Sequence, residues 1–575
     1  MALAGDVVFV AGAPAFFPPD NPVESYEAAY EGRRGGLLWA ASATLGVACG
    51  AWNHSANGAG LGESSPRPAK NPASIASKST RFRSKAGIAQ VHVPPPLRSL
   101  RCLGSRGLGA LRLRAAVPRG RRPNFIFLLG DDLAQSEVGC YGNPLIQTPS
   151  IDRMAAEGVL FENAFVTTSI CAPNRACILA GQHQRTTGIK DFAKPFTPEQ
   201  IDRTYPLLLK QAGYRIGFIG KWGVGASARN LALPASRFDY WQGFPGQGSY
   251  WYEIDGEKRH EVDVVPMRTR EFLEGRLADQ PFCLSISFKA PHGPYEWAPA
   301  FDDLYTGESL PPLPPTCTRE AYEALPEFLR NSLNGKSLKL GPDGWVPERN
   351  LEGMRGKIAG AWRMVTGLDL CVGRIRETLR EKGLADNTIL ILTGDNGYFH
   401  FERGLTGKWL MYEPSIRVPL ILYDPRAPQS QRGRRLEPMA LTIDVAPTIL
   451  SLASLSADPG MQGMSLMRLL DNPQAPWRED WFYEHTYETN PKKPSIAKSE
   501  GVRTERWKYI RYLDMTPHVE ELYDLQADPQ ELRNLAADPE CRDVLEDLRK
   551  RYQQYRKDLL DNAPDPGEYS QDGNA

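Results

Sequence analysis

The chain has 575 residues, of which 41% are hydrophobic, 10% aromatic and 24% charged, a composition that excludes collagen-like, coiled-coil and wholly disordered chains. No apolar run reaches the ~18 residues of a membrane-spanning helix, which excludes a polytopic membrane protein and a transmembrane anchor. The formal charge of zero hides an asymmetry: Ser64–Arg122 carries 14 Lys or Arg and no acid, whereas residues 123–575 hold 52 basic against 62 acidic residues. An acidic body argues against a nucleic-acid partner, because such binding depends on neutralising phosphates with Lys and Arg.

Residues 1–122 read as a basic leader. Ser, Pro, Gly and Arg dominate its second half without apolar periodicity, so it lacks the surface to offset its ordering entropy, and disorder is expected. Near residues 33–49, Arg33 and Arg34 precede the apolar run Leu37–Ala48. That run is similar to the core of an export signal, which implies a periplasmic or extracellular protein and a true start downstream of Met1. An incidental apolar patch is the other reading. Nine cysteines without regular pairs make neither a disulfide framework nor a CxxC zinc site. Cys140, Cys177, Cys283 and Cys371 lie in or beside apolar segments and are expected to be packed, which leaves Cys171 to explain.

The organised chain begins at Pro123. Asn124–Leu129 is a continuous apolar run of strand length ending in Gly130, Asp131 and Asp132. A helix is expected over Ile151–Glu157, with Ser150 as its N-cap and Gly158 after it, and another over Leu207–Ala212, ended by Gly213. Three further buried strands follow: Arg215–Ile219 running into Gly220, Lys221 and Trp222; Phe282–Phe288 running into Lys289, Ala290, Pro291 and His292; Thr388–Leu392 running into Thr393, Gly394, Asp395, Asn396 and Gly397. Alternating buried strands and helices imply an α/β fold with a large, mostly parallel sheet sandwiched by helices, where ligands collect outside the carboxyl ends of the strands. After Pro447 the pattern shifts to short strands at Trp481–Thr486, Gly501–Thr504 and Trp507–Tyr512, then a helix over Pro539–Asp561 with Leu545, Leu548, Tyr552 and Tyr555 on one face. A catalytic domain over residues 123–460 and a C-terminal subdomain over 461–575, made of a small antiparallel sheet plus a helix, are therefore expected.

Each polar cluster has an ordinary alternative taken singly: a helix cap for Asp131 and Asp132, a turn for Asp395-Asn396-Gly397, a loop histidine for His292. Convergence on one sheet edge changes that reading. Three carboxylates and an amide oxygen brought together call for a cation, and all-oxygen ligation suits calcium or magnesium better than zinc. The most specific element is Cys171-Ala172-Pro173-Asn174-Arg175. Pro173 suits the first turn of a helix that can run through Ala180 before Gly181, which places Cys171 at the positive helix end, where an anion is stabilised.

This stretch resembles the signature of the type I sulfatases, members of the alkaline phosphatase superfamily. The resemblance runs from Arg122 to about Arg551 and includes Asp131-Asp132, Gly220-Lys221-Trp222, Ala290-Pro291-His292, Gly394-Asp395-Asn396-Gly397, Gly407-Lys408 and the C-terminal Leu522-Tyr523-Asp524-Leu525. It implies that a separate formylglycine-generating enzyme oxidises Cys171 to formylglycine, whose hydrate is the nucleophile. It further implies that Asp131, Asp132, Asp395, Asn396 and the modified Cys171 hold one divalent cation, calcium before magnesium. Lys221 and Lys408 are then expected to clamp the sulfate, Arg175 to fix the hydrate, and His292 to assist the departing alcohol.

One position departs from the pattern. Many sulfatases follow the Lys-Trp pair with a histidine credited with taking the second hydrate proton, and here Gly223 stands there. His183, His400 or a bound water are the candidate replacements, and an inactive binding homologue stays open, as does a phosphodiesterase or phosphonate monoester hydrolase. The aromatic segment from Phe238 to Tyr252 reads equally as a loop that stacks on a sugar ring and as one that packs over the core. Its likeness, shared with the run Gly397-Tyr398-Phe399 through Met411-Tyr412-Glu413, is to loops of sulfatases acting on sulfated amino sugars and polysaccharides, N-acetylglucosamine-6-sulfatases among them. It implies a sulfated carbohydrate as substrate, with Trp241 and Trp251 stacking on a sugar ring and His183 and His400 nearby.

Overall fold

The computed structural model describes residues 122–227, 230–231, 233–336, 346–487 and 496–561, together with four strand segments close to the start of the chain. Those segments, Ala2–Ala4, Val7–Gly12, Leu37–Ser42 and Ala48–Asn53, pair in order as an antiparallel sheet within a separate unit, Met1–Val117. Leu37–Ser42 lies within the apolar stretch expected as an export-signal core, and Ala48–Asn53 begins at its last residue. The rest of that leader lies outside the described residues.

The second unit, Pro118–Ala575, is built on an eight-stranded sheet. In chain order its strands are β1 (Asn124–Asp131), β2 (Val159–Phe161), β3 (Arg215–Lys221), β4 (Tyr240–Phe244), β5 (Phe282–Pro291), β6 (Thr388–Gly394), β7 (Leu420–Tyr423) and β8 (Arg434–Leu436). Across the sheet the order is β4-β3-β5-β1-β6-β7-β2-β8, and β7 alone among them runs against the rest. Every residue of β1, β5 and β6 is buried, as expected of strands covered on both faces.

Alternate side chains of the central strands feed the two layers. Phe125, Phe127, Ile216, Phe218, Ile389 and Ile391 point to one face, where they pack with α2 (Cys171–Ala180), α3 (Tyr205–Gln211) and α6 (Val445–Leu452). The opposite face is covered by α1 (Pro149–Glu157), α4 (Glu261–Glu274) and α5 (Val346–Glu381). Helix α5 was not foreseen from the sequence, although its buried Ile358, Trp362, Val365, Leu368, Val372, Ile375 and Leu379 follow helical spacing. Helix α1 starts earlier than expected: Pro149 occupies its first turn and Thr148, not Ser150, is the N-cap.

A second sheet of four antiparallel strands, β9 (Asp480–His485), β10 (Ser499–Thr504), β11 (Trp507–Tyr512) and β12 (Val519–Asp524), follows in sequence order. Helix α7 (Arg542–Asp561) lays Leu545, Leu548, Tyr552 and Leu559 on Phe482, Val502, Tyr509 and Leu522. This is the small sheet plus helix expected from the sequence, with β12 added.

The segment expected to be an aromatic substrate loop is in part sheet. Tyr240–Phe244 forms the edge strand β4, parallel to β3, and Trp251–Ile254 pairs with Glu257–His260 in a hairpin. Trp241 stacks on Phe218 with ring centroids 5.1 Å apart and also packs on Trp222 and Phe238. It is half-buried and packs against the core.

The carboxyl end of β3 is set by a close crossing. Gly220 has φ +98°, and a Cβ there would lie 2.0 Å from the carbonyl oxygen of Ser287 on β5. No side chain fits without parting the two strands. Gly220→Ala is therefore expected to lower stability by about 2 kcal/mol or more, read as a fall in Tm, with loss of activity because Lys221 is the next residue.

Candidate active site

Four adjacent strand ends and one helix start build the site. Asp131 ends β1 and Asp132 follows it; Lys221 ends β3; His292 follows β5; Asp395 and Asn396 follow β6. Cys171 is the first residue of α2, and Gly181, at φ +64°, closes that helix with its backbone N–H on the Cys177 carbonyl. The donor atoms of Asp131, Asp132, Cys171 and His292 lie within 4.8 Å of one another. Lys408 arrives from the loop after β6, its ammonium 2.7 Å from Cys171 Sγ and paired with Asp132 Oδ1.

Three carboxylates here face three basic groups. Lys221 Nζ is 2.6 Å from Asp131 Oδ2 and 2.7 Å from Gln247 Oε1. Arg175 donates from Nε to Asp395 Oδ2 at 2.8 Å and from Nη1 to the Lys221 carbonyl at 2.7 Å, and it hydrogen-bonds Ser287 Oγ. Its Nη2 lies 3.5 Å from Asp131 Oδ1. Repulsion among the carboxylates is thus already offset by the chain's own cations, so the sequence-based case for a metal does not stand on repulsion alone.

The oxygen atoms make a different case. Asp131 Oδ1 and Asn396 Oδ1 are buried without a hydrogen-bond partner, which is costly unless something else satisfies them. Both are hard donors that fit a divalent cation. Asp395 is less available: Oδ1 accepts from the Asp132 N–H at 3.0 Å and Oδ2 from Arg175. His292, not expected among the ligands, stands within the four-group cluster.

Burial and neighbouring charges set the protonation states. Burial opposes ionisation of Asp131, but Lys221, His292, Arg175 and Lys408 together hold its carboxyl well below the usual range. Asp132 is lowered in the same way, with Lys408 the strongest opposing influence. Asp395 goes the other way, to about 6, because burial and the Asp131 charge outweigh Arg175. Lys408 is buried, yet Asp132 and the group at 171 push its pKa well above the ordinary value, so it stays charged. Burial raises the Cys171 thiol, which rules out a ready thiolate nucleophile. Burial lowers the His292 imidazole, only partly offset by Asp132 and Asp131. Its Nδ1 lies 2.5 Å from the Gly293 carbonyl, which can only accept, so Nδ1 carries the proton and Nε2 faces Asp132 at 3.7 Å.

Gly223 cannot carry a base without a rearrangement. Its φ is +80°, and a Cβ there would stand 2.8 Å from Arg175 Cδ. Neither histidine suggested in its place belongs to the four-group cluster around Cys171, although His400 feels the Asp132 charge. His183 caps the short helix Gln184–Thr187, and burial together with Arg478 and Arg185 lowers its pKa to about 4. His400 pairs its Nε2 with Glu137 Oε1 at 2.9 Å beside the Tyr398 ring. Trp251 packs its ring edge on His260 and lies under Lys258 Nζ, in the hairpin. The half-buried Tyr398, from the run likened to carbohydrate-sulfatase loops, and the half-buried Tyr295, which the sequence did not single out, sense the site: their hydroxyls feel the Asp132 charge, and Tyr398 also Lys408.

The description of a family named Sulfatase matches residues 123–455, and one named N-sulphoglucosamine sulphohydrolase, C-terminal, matches residues 401–558. An N-acetylglucosamine-6-O-sulfatase of Bacteroides thetaiotaomicron is 31% identical over 78% of this chain and 88% of its own. The N-sulphoglucosamine sulphohydrolase of Homo sapiens is 28% identical over 79% of this chain and 95% of its own. A solved structure described as in complex with its substrate D-glucosamine-2-N,6-O-disulfate superposes with a TM-score of 0.67 at 29% identity, covering 77% of this chain and 99% of that one. The phosphonate monoester hydrolase of Agrobacterium radiobacter shares the fold, with a TM-score of 0.61 at 22% identity over 76% of this chain and 96% of its own. With the expected strand-end cluster and helix-borne cysteine assembled in one place, the chain belongs to the sulfatase family and is a sulfuric ester hydrolase.

Proposed function

We propose that the cluster around Cys171 cleaves the sulfate ester of a carbohydrate, with a sulfated amino sugar as substrate class, once Cys171 has been oxidised to formylglycine by a maturing enzyme. The observation that carries this reading is the meeting of residue 171, Lys408 and Asp132 at the first turn of α2, with Arg175 locked behind them. Helix N-termini favour anions, and the fixed positive charges of Lys408 and Lys221 stand on either side of Asp131 and Asp132. A sulfated glucosamine is the named substrate of the structural neighbour at 29% identity. Tyr295, Tyr398 and Gln247 are the proposed sugar contacts, in place of Trp241 and Trp251.

Asp131, Asp132, Asn396 and residue 171 are assigned to one divalent cation, with Asp395 holding Asp132 and Arg175 in register. Calcium is the ion proposed, because a donor set drawn from separate loops suits its flexible coordination better than the strict octahedron of magnesium. When bound, the cation supplies Lewis-acid polarisation of a sulfate oxygen and activation of the hydrate hydroxyl. The chain's own groups do the rest. Lys221 and Lys408 receive the other sulfate oxygens, and Arg175 fixes the carboxylates that orient residue 171. His292 Nε2 is placed within reach of residue 171 and both carboxylates and is unprotonated at rest because Nδ1 holds the proton. It takes the proton of the attacking hydrate hydroxyl and hands it to the departing alcohol oxygen, and once neutral again it takes the proton of the second hydrate hydroxyl. Gly223 offers no base, so one imidazole is assigned both transfers. The twin arginines Arg33 and Arg34 before an apolar run support an exported protein.

Several measurements test this reading. A mass spectrum of the peptide containing residue 171 should show formylglycine, and Cys171→Ala should abolish turnover. On one matured preparation a sulfated amino sugar should outrun aryl phosphate and a phosphodiester; a phosphodiester turned over best would put the phosphodiesterase reading first. His292→Ala should slow a sugar sulfate by about 10²–10⁴-fold through loss of the leaving-group proton. With an aryl sulfate, whose phenolate leaves without a proton, it should still release the phenol in a first turnover and then stall with residue 171 sulfated, because the second transfer is lost too. Chelation should lower Tm and added calcium restore it, since an ion bound only by the folded state stabilises it, and Asp131→Asn should remove that restoration.

A further inference from the structure

We infer that Tyr483 of β9 is a positioning residue that holds Lys408 against residue 171, an assignment that rests on reading both as reacting groups. Its hydroxyl sits between the two chain segments that carry them. The Ser169 N–H donates to Tyr483 Oη at 3.2 Å, and Tyr483 Oη donates to the Trp409 carbonyl at 2.6 Å. The Trp409 N–H then donates to the Ser169 carbonyl at 3.1 Å, which closes the circuit. Ser169 lies two residues before Cys171, and Trp409 directly follows Lys408. Tyr483 is fully buried, and the next residue of β9 continues the tie, the Glu484 N–H donating to the Thr167 carbonyl at 3.0 Å.

The Lys408 segment needs such a clamp. Trp409 has φ +82°, a left-handed conformation that a bulky side chain adopts only where its surroundings over-determine it. From another direction Asn334 Nδ2 donates to the Lys408 carbonyl at 2.7 Å and to the Thr406 carbonyl at 2.8 Å. Asn334 reaches the lysine segment, whereas Tyr483 binds that segment and the cysteine segment through one oxygen. A flexible four-carbon side chain places its charge reproducibly only if its backbone is fixed, and a misplacement near 1 Å can cost about 10²-fold in rate. The C-terminal sheet thereby contributes to the sulfate-binding charge without touching sulfate.

The test is Tyr483→Phe, which keeps the ring and removes the hydroxyl, in the full-length protein and in a Lys408→Ala background. Rates are taken on a sulfate ester and normalised to the fraction of residue 171 converted to formylglycine. Tyr483→Phe should lower kcat by about 10–100-fold with KM within about threefold. In the Lys408→Ala background the same change should cost less than about twofold, because residues acting as a unit are not additive. Tyr509→Phe, which removes a hydroxyl bonded to Glu520 in the same sheet, should leave kcat unchanged. Wild-type kcat in Tyr483→Phe, or an equal loss in both backgrounds, would overturn the proposal while leaving the catalytic reading intact. Wild-type kcat in Lys408→Ala would overturn that reading and this proposal together. Should Tyr483→Phe fail to fold, p-aminophenylalanine at 483 keeps a donor to the Trp409 carbonyl but accepts poorly from the Ser169 N–H, so kcat should fall by about threefold or more with KM little changed; a folded protein of that kind with wild-type kcat would sink the proposal.

Discussion

Everything at the working end of this molecule depends on a buried exchange of charge. Asp131, Asp132 and Asp395 sit at most 4% exposed, where an unpaired carboxylate would take up a proton. They stay together because Lys221, Lys408 and Arg175 are brought to the same point. Breaking one such buried pair by removing a partner typically costs about 3–5 kcal/mol, so the cluster is as much a constraint on the fold as a tool for chemistry. Strand β1 brings Asp131 and Asp132, β3 Lys221 and β6 Asp395, while Arg175 comes from α2 and Lys408 from the loop after β6, and the parallel register of β1, β3, β5 and β6 makes the strand ends coincide. The sheet thus tolerates a polar edge because its charges cancel locally.

Much of this was legible in the sequence, for a physical reason. A strand buried on both faces must be apolar throughout, so Asn124–Leu129 and Thr388–Leu392 announce themselves, and the polar residues that end them are conspicuous. The same logic located Cys171, since Pro173 and Gly181 mark the start and end of α2. What escaped lacks such a boundary. Helix α5 is broken by non-helical backbone at Asn350 and carries Gly353, Gly356, Gly360, Gly367 and Gly373 inside it, each a poor helix former that blurs the pattern. Strand β12 mixes charged and apolar residues because one of its faces packs polar groups, Glu521 meeting Tyr412 and Tyr512.

The substrate-facing residues were the least legible part. An aromatic ring looks the same in sequence whether it caps a core or lines a cleft, and Trp241 lies half-buried against the core because its strand pairs with β3. Tyr295 carries no local signal and Tyr398 is marked only by the run it stands in, and their place near Asp132 is fixed by loops whose course depends on the whole sheet. The absence of a side chain at Gly223 was visible in the sequence. Its cause, the closeness of Arg175, was not.

The burial of Cys171 has a consequence in time. Its side chain is 1% exposed, and the groups that enclose its segment come from far along the chain: Asp132 lies 39 residues away, Lys408 237, and Tyr483 314 from Ser169. The pocket therefore cannot close until the C-terminal sheet has been made. At about 5–20 residues per second of synthesis, residue 171 stays open for roughly 15–60 s. The proposed maturation would have to act within that interval, so folding would compete with it for the same thiol, and a variant that hastens closure would carry more unmodified cysteine even if every atom of its finished site were unchanged.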